Sequence, residues 1–301
     1  MNWHSRANLT ILVTLGLASA GLAHRAESLR FIHQEDATSR VAHQGAPPAG
    51  TPVDWHVQVE PMARFTAPAG EIRLPGGSMR GSLVELEDLN LDAPRLMPGF
   101  DLSLRRGDWR INAIGLFYDI DGQIATAEED LVLGTVAVAS GQRTSIGHTY
   151  AQIDVRLAHT ILDRPISPRT DAKGHKVRFR LDAEAGLRLY DFEFEIENLD
   201  TGDRYTDDRT FFEPHAGFKG AFSIFEDVTI DLYTNFGLWP VDAKTFSWDI
   251  GVGFQWRPVD YFGAQIGYRS TIFLLNEGSG VNEFEWNGSY QGLYAGLQFR
   301  F

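Results

Sequence analysis

The sequence predicts an all-β fold, an antiparallel up-and-down transmembrane β-barrel of about ten strands (about 8 to 12). Three observations predict it. Apolar residues recur at every second position from Trp55 to the last residue, the connections between these runs alternate between short and long, and the polar face carries many glycines and charges of both signs. With 43% hydrophobic and 22% charged residues the chain has globular composition. It has no Cys, which excludes thiolate catalysis, Cys-ligated zinc, iron-sulfur clusters and disulfides. A formal charge of -13 with no basic run excludes a nucleic-acid partner held by a basic surface.

In chain order, residues 1–23 read as an export signal. A polar start with His4 and Arg6 leads into an apolar run from Leu9 to Leu17 and then to small residues at Ala18, Ala20 and Ala23. The run is about half the ~20 residues a spanning helix needs. Residues 24–52 lack sustained periodicity and end in a Pro/Gly cluster, so they read as a polar tail on the periplasmic side. Residues 53–301 form the barrel.

Strands are expected at 53–65, 98–106, 108–118, 144–162 and 175–198. The last of these carries an expected bulge near Tyr190-Asp191, where the apolar parity changes. Further on, Phe218, Phe222 and Ile224 share one face, as do Val228, Ile230, Leu232 and Phe236 after a turn at Glu226-Asp227. Phe246, Trp248, Ile250, Val252, Phe254 and Trp256 form an unbroken outward series, turned at Arg257 to Asp260 into Phe262, Ala264, Ile266 and Tyr268. Tight turns at Arg105 to Asp108, at Glu226-Asp227 and at Arg257 to Asp260 alternate with longer polar segments at 66–97, 119–143, 199–207, 239–245 and 276–284. The 163–174 segment is the exception on the short side.

A soluble sandwich also alternates polar and apolar residues, so the two faces decide. The apolar face has Trp109, Trp239, Phe246, Trp256 and Tyr261 near its ends, where amphipathic rings suit lipid headgroups. The polar face has Gly217, Gly237, Gly251, Gly253, Gly263, Gly267, Gly292 and Gly296, which weaken a solvent-facing strand but suit a crowded, curved interior.

Export signal, serial strands, alternating turns and a chain ending in YAGLQFRF together resemble the bacterial outer-membrane β-barrel class. In that class a final strand ending in an aromatic is read by the barrel-insertion machinery. Phe301, Phe299, Leu297, Ala295 and Leu293 fit that pattern, with Tyr294 on the opposite face. The resemblance covers residues 53 to 301 and is architectural, matching no particular subfamily. It implies an outer membrane of the Gram-negative type, with lipids and lipopolysaccharide as partners.

The expected inward series is Asp101, Arg105, Arg110, Asp154, Arg156, Arg178, Arg180, Asp182, Glu184, Arg188, Glu213, His215, Lys219, Asp231, Asp249, Arg257, Arg269 and Arg300. Charges in a narrow lumen are costly unless paired, so an ion-paired filling is expected, not an open channel of the ~16 to 18 strand kind. The net acidity then falls outside, at Glu85, Glu87, Asp88 and Asp92, at Asp119, Asp121, Glu128, Glu129 and Asp130, and at Asp200, Asp203, Asp207 and Asp208. Such loops suit divalent cations. However, the calcium-loop pattern around Asp119, Asp121, Gly122 and Glu128 fails at its first position, Phe117. Arg106-Gly107-Asp108 reads as a turn, not as an adhesion tripeptide.

Barrel enzymes of the resembled class place His with Ser, Asp or a second carboxylate near the outer rim. The positions that could do so here are His148 with Asp154 or with Asp207 and Asp208, and His215 with Glu213. One or two His are ordinary in a polar lumen, so the chain is read as a non-enzyme with no catalytic, cofactor or metal site. The leading function is a structural or surface-interaction role. The alternatives are a narrow pore for small or apolar solutes, and a rim-site lipid or peptide hydrolase.

Overall fold

The computed structural model describes residues 55–166, 177–224, 227–239 and 244–301. The stretches assigned to the export signal and the polar tail lie outside them, as does Glu226 of one expected turn. Among the described residues ten long strands follow one another: β1 (Trp55–Arg73), β2 (Arg95–Arg106), β3 (Trp109–Thr126), β4 (Arg143–Pro165), β5 (Arg178–Asn198), β6 (Arg204–Ser223), β7 (Val228–Trp239), β8 (Lys244–Val259), β9 (Phe262–Glu277) and β10 (Phe284–Arg300). Each pairs antiparallel with its neighbour in sequence. β10 returns to β1 in a register running from Gln58↔Arg300 to Arg73↔Glu285, so the ten-stranded sheet closes on itself. The strand number and the closure agree with the sequence expectation.

The wall is built by alternation. Along β8, Trp248, Ile250, Val252, Phe254 and Trp256 are exposed on the outside, while Thr245, Ser247, Asp249, Gly251 and Gly253 are buried inside. The ten steps from Phe246 to Trp256, at about 3.3 Å each and tilted by about 40°, rise about 25 Å, the height of the apolar band of a membrane barrel. Leu187 on β5, Phe218 on β6, Leu232 and Phe236 on β7, Ile266 on β9 and Leu293 on β10 continue that band around the wall. So large an exposed apolar surface, at that height and continuous around a closed wall, fits a lipid-facing band. Trp55, Trp109, Trp256 and Tyr261, all exposed, ring its short-turn end. The lumen explains the inward glycines: a Cβ on Gly251 would collide with the Tyr233 ring.

Four expectations are corrected. The first is the bulge at Tyr190-Asp191, for β5 keeps an unbroken register against both neighbours from Asp182 to Glu197. Leu187 and Leu189 face out, and so do Asp191, Glu193, Glu195 and Glu197; Arg188 faces in, and so do Tyr190, Phe192, Phe194 and Ile196. Beyond Leu189 the strand leaves the apolar band. There a barrel in water needs a polar outside and an apolar core, so the polarity inverts while the pleat does not. The register does shift elsewhere, between Thr160 and Leu162 on β4 and between Ile120 and Gln123 on β3.

Second, the strands run further than their lipid-facing portions. β1 reaches Arg73, β3 Thr126 and β9 Glu277, so part of each expected long loop is wall. Third, the segment 199–207 is not a long loop. Arg204 already resumes the sheet, and the five-residue turn is tied by Asn198, whose Oδ1 accepts from the Asp200 and Thr201 amides at 3.0 and 3.2 Å. Fourth, Asp207 is buried and faces inward, paired to Arg209 at 2.9 Å.

The remaining connections fold over the long-loop end. Leu74, Leu86, Leu89 and Leu91 from one and Leu133, Val136 and Val138 from another join the buried apolar cluster. A short strand Leu83–Glu85 adds to β1, and Leu131–Leu133 pairs with Val136–Val138. Gly134 turns that hairpin at a φ of +62°, with the Tyr205 ring packed where a side chain would stand.

At the same end Glu283 accepts from Arg80 Nε at 2.9 Å and from Arg73 Nη1 at 2.8 Å, and Gly76 N–H donates to Val281 O at 2.8 Å. The Arg80 hydrogen bond, seconded by Arg73, holds the Glu283 carboxyl below the usual carboxylate range. A depressed folded pKa means that the anchoring is complete above the unfolded value of about 4.3 and is lost as pH falls through the lower folded value. Hydrogen exchange of the Gly76 amide, corrected for intrinsic rate, is therefore expected to be slow at pH 6 and to accelerate below about pH 4. In Glu283→Gln it should be fast at both. Equal protection at both values in the parent would contradict this anchoring.

Candidate functional site

The interior divides into three levels, each set by which strands bring which side chains inward. At the short-turn end lies a cavity of about 960 Å³, lined among others by His56, Gln58, Arg105, Arg257, Tyr261 and Arg300. It opens at that end, where β1 begins and β10 ends.

Above it the lumen is filled by ion pairs. Arg188, 0% exposed on β5, reaches Asp154 of β4 at 3.1 Å, Asp249 of β8 at 3.4 Å and Glu213 of β6 at 3.9 Å. It also donates to Tyr190 Oη at 2.9 Å and Ser247 Oγ at 3.1 Å. Asp154 is shared with Arg156 at 2.6 Å and His215 at 2.9 Å, and Asp249 with Arg269, whose Nε lies 2.6 Å away. Toward the cavity Glu184 takes Arg110 and Arg156 at 2.7 and 3.2 Å, and Asp182 takes Arg110 and Arg180 at 3.1 and 2.8 Å. The expected ion-paired lumen is present, and the Arg188–Asp249 contact ties β5 to β8 across it.

The third level is apolar. His148, Tyr150, Tyr190, Phe192, Phe194, Phe211, Phe273, Phe284, Trp286 and Tyr290 are all buried inside the long-loop end. His148 stacks on Phe194 at 4.3 Å between centroids, Tyr150 on Tyr290 at 4.6 Å, and Tyr190 meets Phe273 edge-on at 4.9 Å. The rings come from β4, β5, β6, β9 and β10 and span the lumen.

The sequence-predicted pairs fare unevenly. His148 does not meet Asp154, Asp207 or Asp208: its Nε2 bonds Tyr290 Oη at 2.5 Å and its Nδ1 lies 3.2 Å from the Glu193 carbonyl, in the aromatic level. His215 bonds Asp154, not Glu213, in the ion-paired level and away from the rim. Glu213 instead accepts from Ser247 Oγ at 2.5 Å and Tyr190 Oη at 2.9 Å. Both histidines are buried, His148 to 1% exposure and His215 to 5%. Asp119, Asp121 and Glu128 are exposed; Asp121 and Gly122 fall in the β3 register shift, and Asp119 Oδ1 accepts from Thr149. Among the described residues no three His, Asp or Glu side chains gather as a metal site. Arg106 and Trp109 pair across the turn that holds Gly107 and Asp108.

Most of the acidic side chains named from the sequence do face solvent, including Glu85, Glu87, Asp88, Asp92, Glu128, Glu129, Asp130, Asp200 and Asp203. One acidic band was missed. On the outside of the projecting wall Asp119 pairs across to Thr149, Thr149 to Glu193, and Glu193 to Asp208, with Asp191 and Glu195 beside them. Glu60 and Arg64, buried inside β1, were also missed. Even-numbered polar residues between outward Val59, Ala63 and Phe65 were the available signal.

No protein-family model matches the chain, and no curated protein matches it. Solved structures to which it is similar include the outer membrane protease OmpT from Escherichia coli, at 10% identity and a TM-score of 0.49, over 82% of this chain and 97% of that one. The Neisserial surface protein NspA is similar at 12% identity and a TM-score of 0.30, over 82% and 97%. The Pseudomonas putida toluene transporter TodX is similar at 8% identity and a TM-score of 0.27, over 83% and 90%. None of these likenesses assigns a role to a residue of this chain.

Proposed function

We propose that this protein is an integral outer-membrane barrel with a closed lumen, whose role is structural or surface-interacting and is exerted by its projecting long-loop end. The observation that carries this reading is the aromatic level stacked on the ion-paired level. The first packs rings from five strands across the lumen and the second holds its charges in pairs, an arrangement that supports a lumen without a water-filled route. The lipid-facing band takes the membrane lipids, with lipopolysaccharide at its outer margin. The insertion machinery meets β10, whose outward Leu293, Leu297 and Phe299 lead to Phe301. The projecting wall and its loops turn acids to the outside, a surface suited to cationic partners or to divalent ions bridging anionic lipid.

The test is single-channel recording of the purified, refolded mature protein in a planar bilayer, with and without residues 24–52. A folded, heat-modifiable barrel that stays electrically silent in both forms is expected. Reproducible ion-permeable steps in either form would replace this reading with that of a narrow pore, with the internal Arg and Asp residues as its selectivity determinants.

A further inference from the structure

The cavity at the short-turn end shares Arg110, Arg156, Arg180, Arg269, Asp182 and Glu184 with the ion-paired level above it, and nine arginines line it in all. Four of those arginines, Arg64, Arg105, Arg257 and Arg300, have no carboxylate within ion-pair distance among the described residues. Three of them use neutral acceptors: Arg105 Nε donates to Gly107 O at 3.1 Å, Arg257 Nη2 to Thr229 Oγ1 at 3.2 Å, and Arg300 Nε to Gln58 Oε1 at 2.9 Å. Arg64 has none. It is 7% exposed, lines the cavity, and its Nε is sealed from solvent without an acceptor.

A guanidinium removed from bulk water and left without a counter-charge is unfavourable, and elsewhere in this lumen every buried Arg is given a carboxylate. The carboxylates of the cavity wall do not meet it: Asp249 is taken by Arg269 and Arg188, Asp231 by Lys219 at 3.5 Å and by Gln255, and Glu60, buried on the same face of β1, accepts from Gln58 and Gln298 instead. Planar forks of this kind match carboxylate and phosphate oxygens two at a time. The volume suits a small organic molecule, and the aromatic level fills the lumen at the opposite end.

We infer that this cavity is a binding site for a small carboxylate- or phosphate-bearing anion, which enters at the short-turn end and takes Arg64 as its buried counter-charge. Arg257 and Arg300, nearer the opening, supply further donors and a field that draws the anion in. The inference is independent of any role of the long-loop end.

The experiment is calorimetric titration of the full folded protein, in non-ionic detergent and a chloride-free buffer of low ionic strength, with inorganic phosphate and, separately, citrate. One saturable site is expected for at least one probe, weakening as salt is added; which probe binds tells phosphate from carboxylate recognition. Arg64→Gln is expected to weaken binding at least tenfold, while Arg80→Gln, in the opposite loop, leaves it unchanged. Absence of saturable binding by both probes, or equal binding by Arg64→Gln, overturns the site. If Arg64→Gln does not give a heat-modifiable barrel, the double variant Arg257→Gln, Arg300→Gln is read instead. A loss of at least threefold supports the site, and unchanged binding overturns it.

Discussion

Replacing Trp286 by Ala is expected to lower the unfolding free energy by about 3 to 5 kcal/mol, the cost of removing a fully buried large ring from a site that relaxes only partly. Trp286 is 0% exposed inside β10 and packs on Phe192 at 5.4 Å and on Phe194 at 5.8 Å between centroids. Its neighbours belong to a closed wall, whose strands cannot move inward without breaking register, so the cavity persists. Urea titration in detergent micelles, followed by the loss of heat-modifiability, measures the effect. The same substitution at Trp248, which faces outward at 37% exposure, is expected to cost far less in the same assay. Equal losses at the two positions would mean that the rings at the long-loop end do not form a core. Trp286→Ala alone should remain electrically silent, because the Arg188 level still fills the lumen beneath it.

Arg188→Met is expected to cost a similar amount, about 3 to 5 kcal/mol, by a different route: it leaves buried carboxylates short of a counter-charge. Asp154 retains Arg156 and Asp249 retains Arg269, but Glu213 has no other cation within ion-pair distance among the described residues. Adding Glu213→Gln to Arg188→Met should therefore recover part of the loss, about 1 to 2 kcal/mol, although the same change in the parent gives no gain. A double variant no more stable than Arg188→Met alone would show that the penalty lies in lost packing and not in unpaired charge. Combining Arg188→Ala with Trp286→Ala thins both filled levels at once, and it is this pair that is expected to produce conductance steps absent from either single variant.

Much of this was legible in the chain. Strand number, closure of first on last strand, the lipid-facing series and the inward charges follow from a period of two and from the cost of unpaired charge, both of which are local or nearly so. Arg188, Asp154 and Asp249 could be placed in the lumen because the next residues, on the opposite face, are Leu189, Val155 and Ile250, large apolar side chains that go to lipid. Their partners could not be read. That His215 meets Asp154 and not Glu213 depends on which inward rows of β4 and β6 project to the same point across the barrel, a matter of strand tilt and stagger that no single strand encodes.

The Tyr190–Ile196 stretch shows the same limit in another form. Its alternation was visible, but a change of parity has two physical causes, a bulge in the strand or a change of solvent along it. Asp191, Glu193, Glu195 and Glu197, four carboxylates at successive outward positions with no cation among them, favour the second, since a narrow lumen would not hold them. What the sequence by itself determined is therefore the pleat: which residues share a face, how many strands there are, and that the wall closes. What only the tertiary structure decided is the surroundings of each face at each height, aromatic core, ion pairs or open cavity, because those surroundings are assembled from strands far apart in the chain, whose register sets who meets whom.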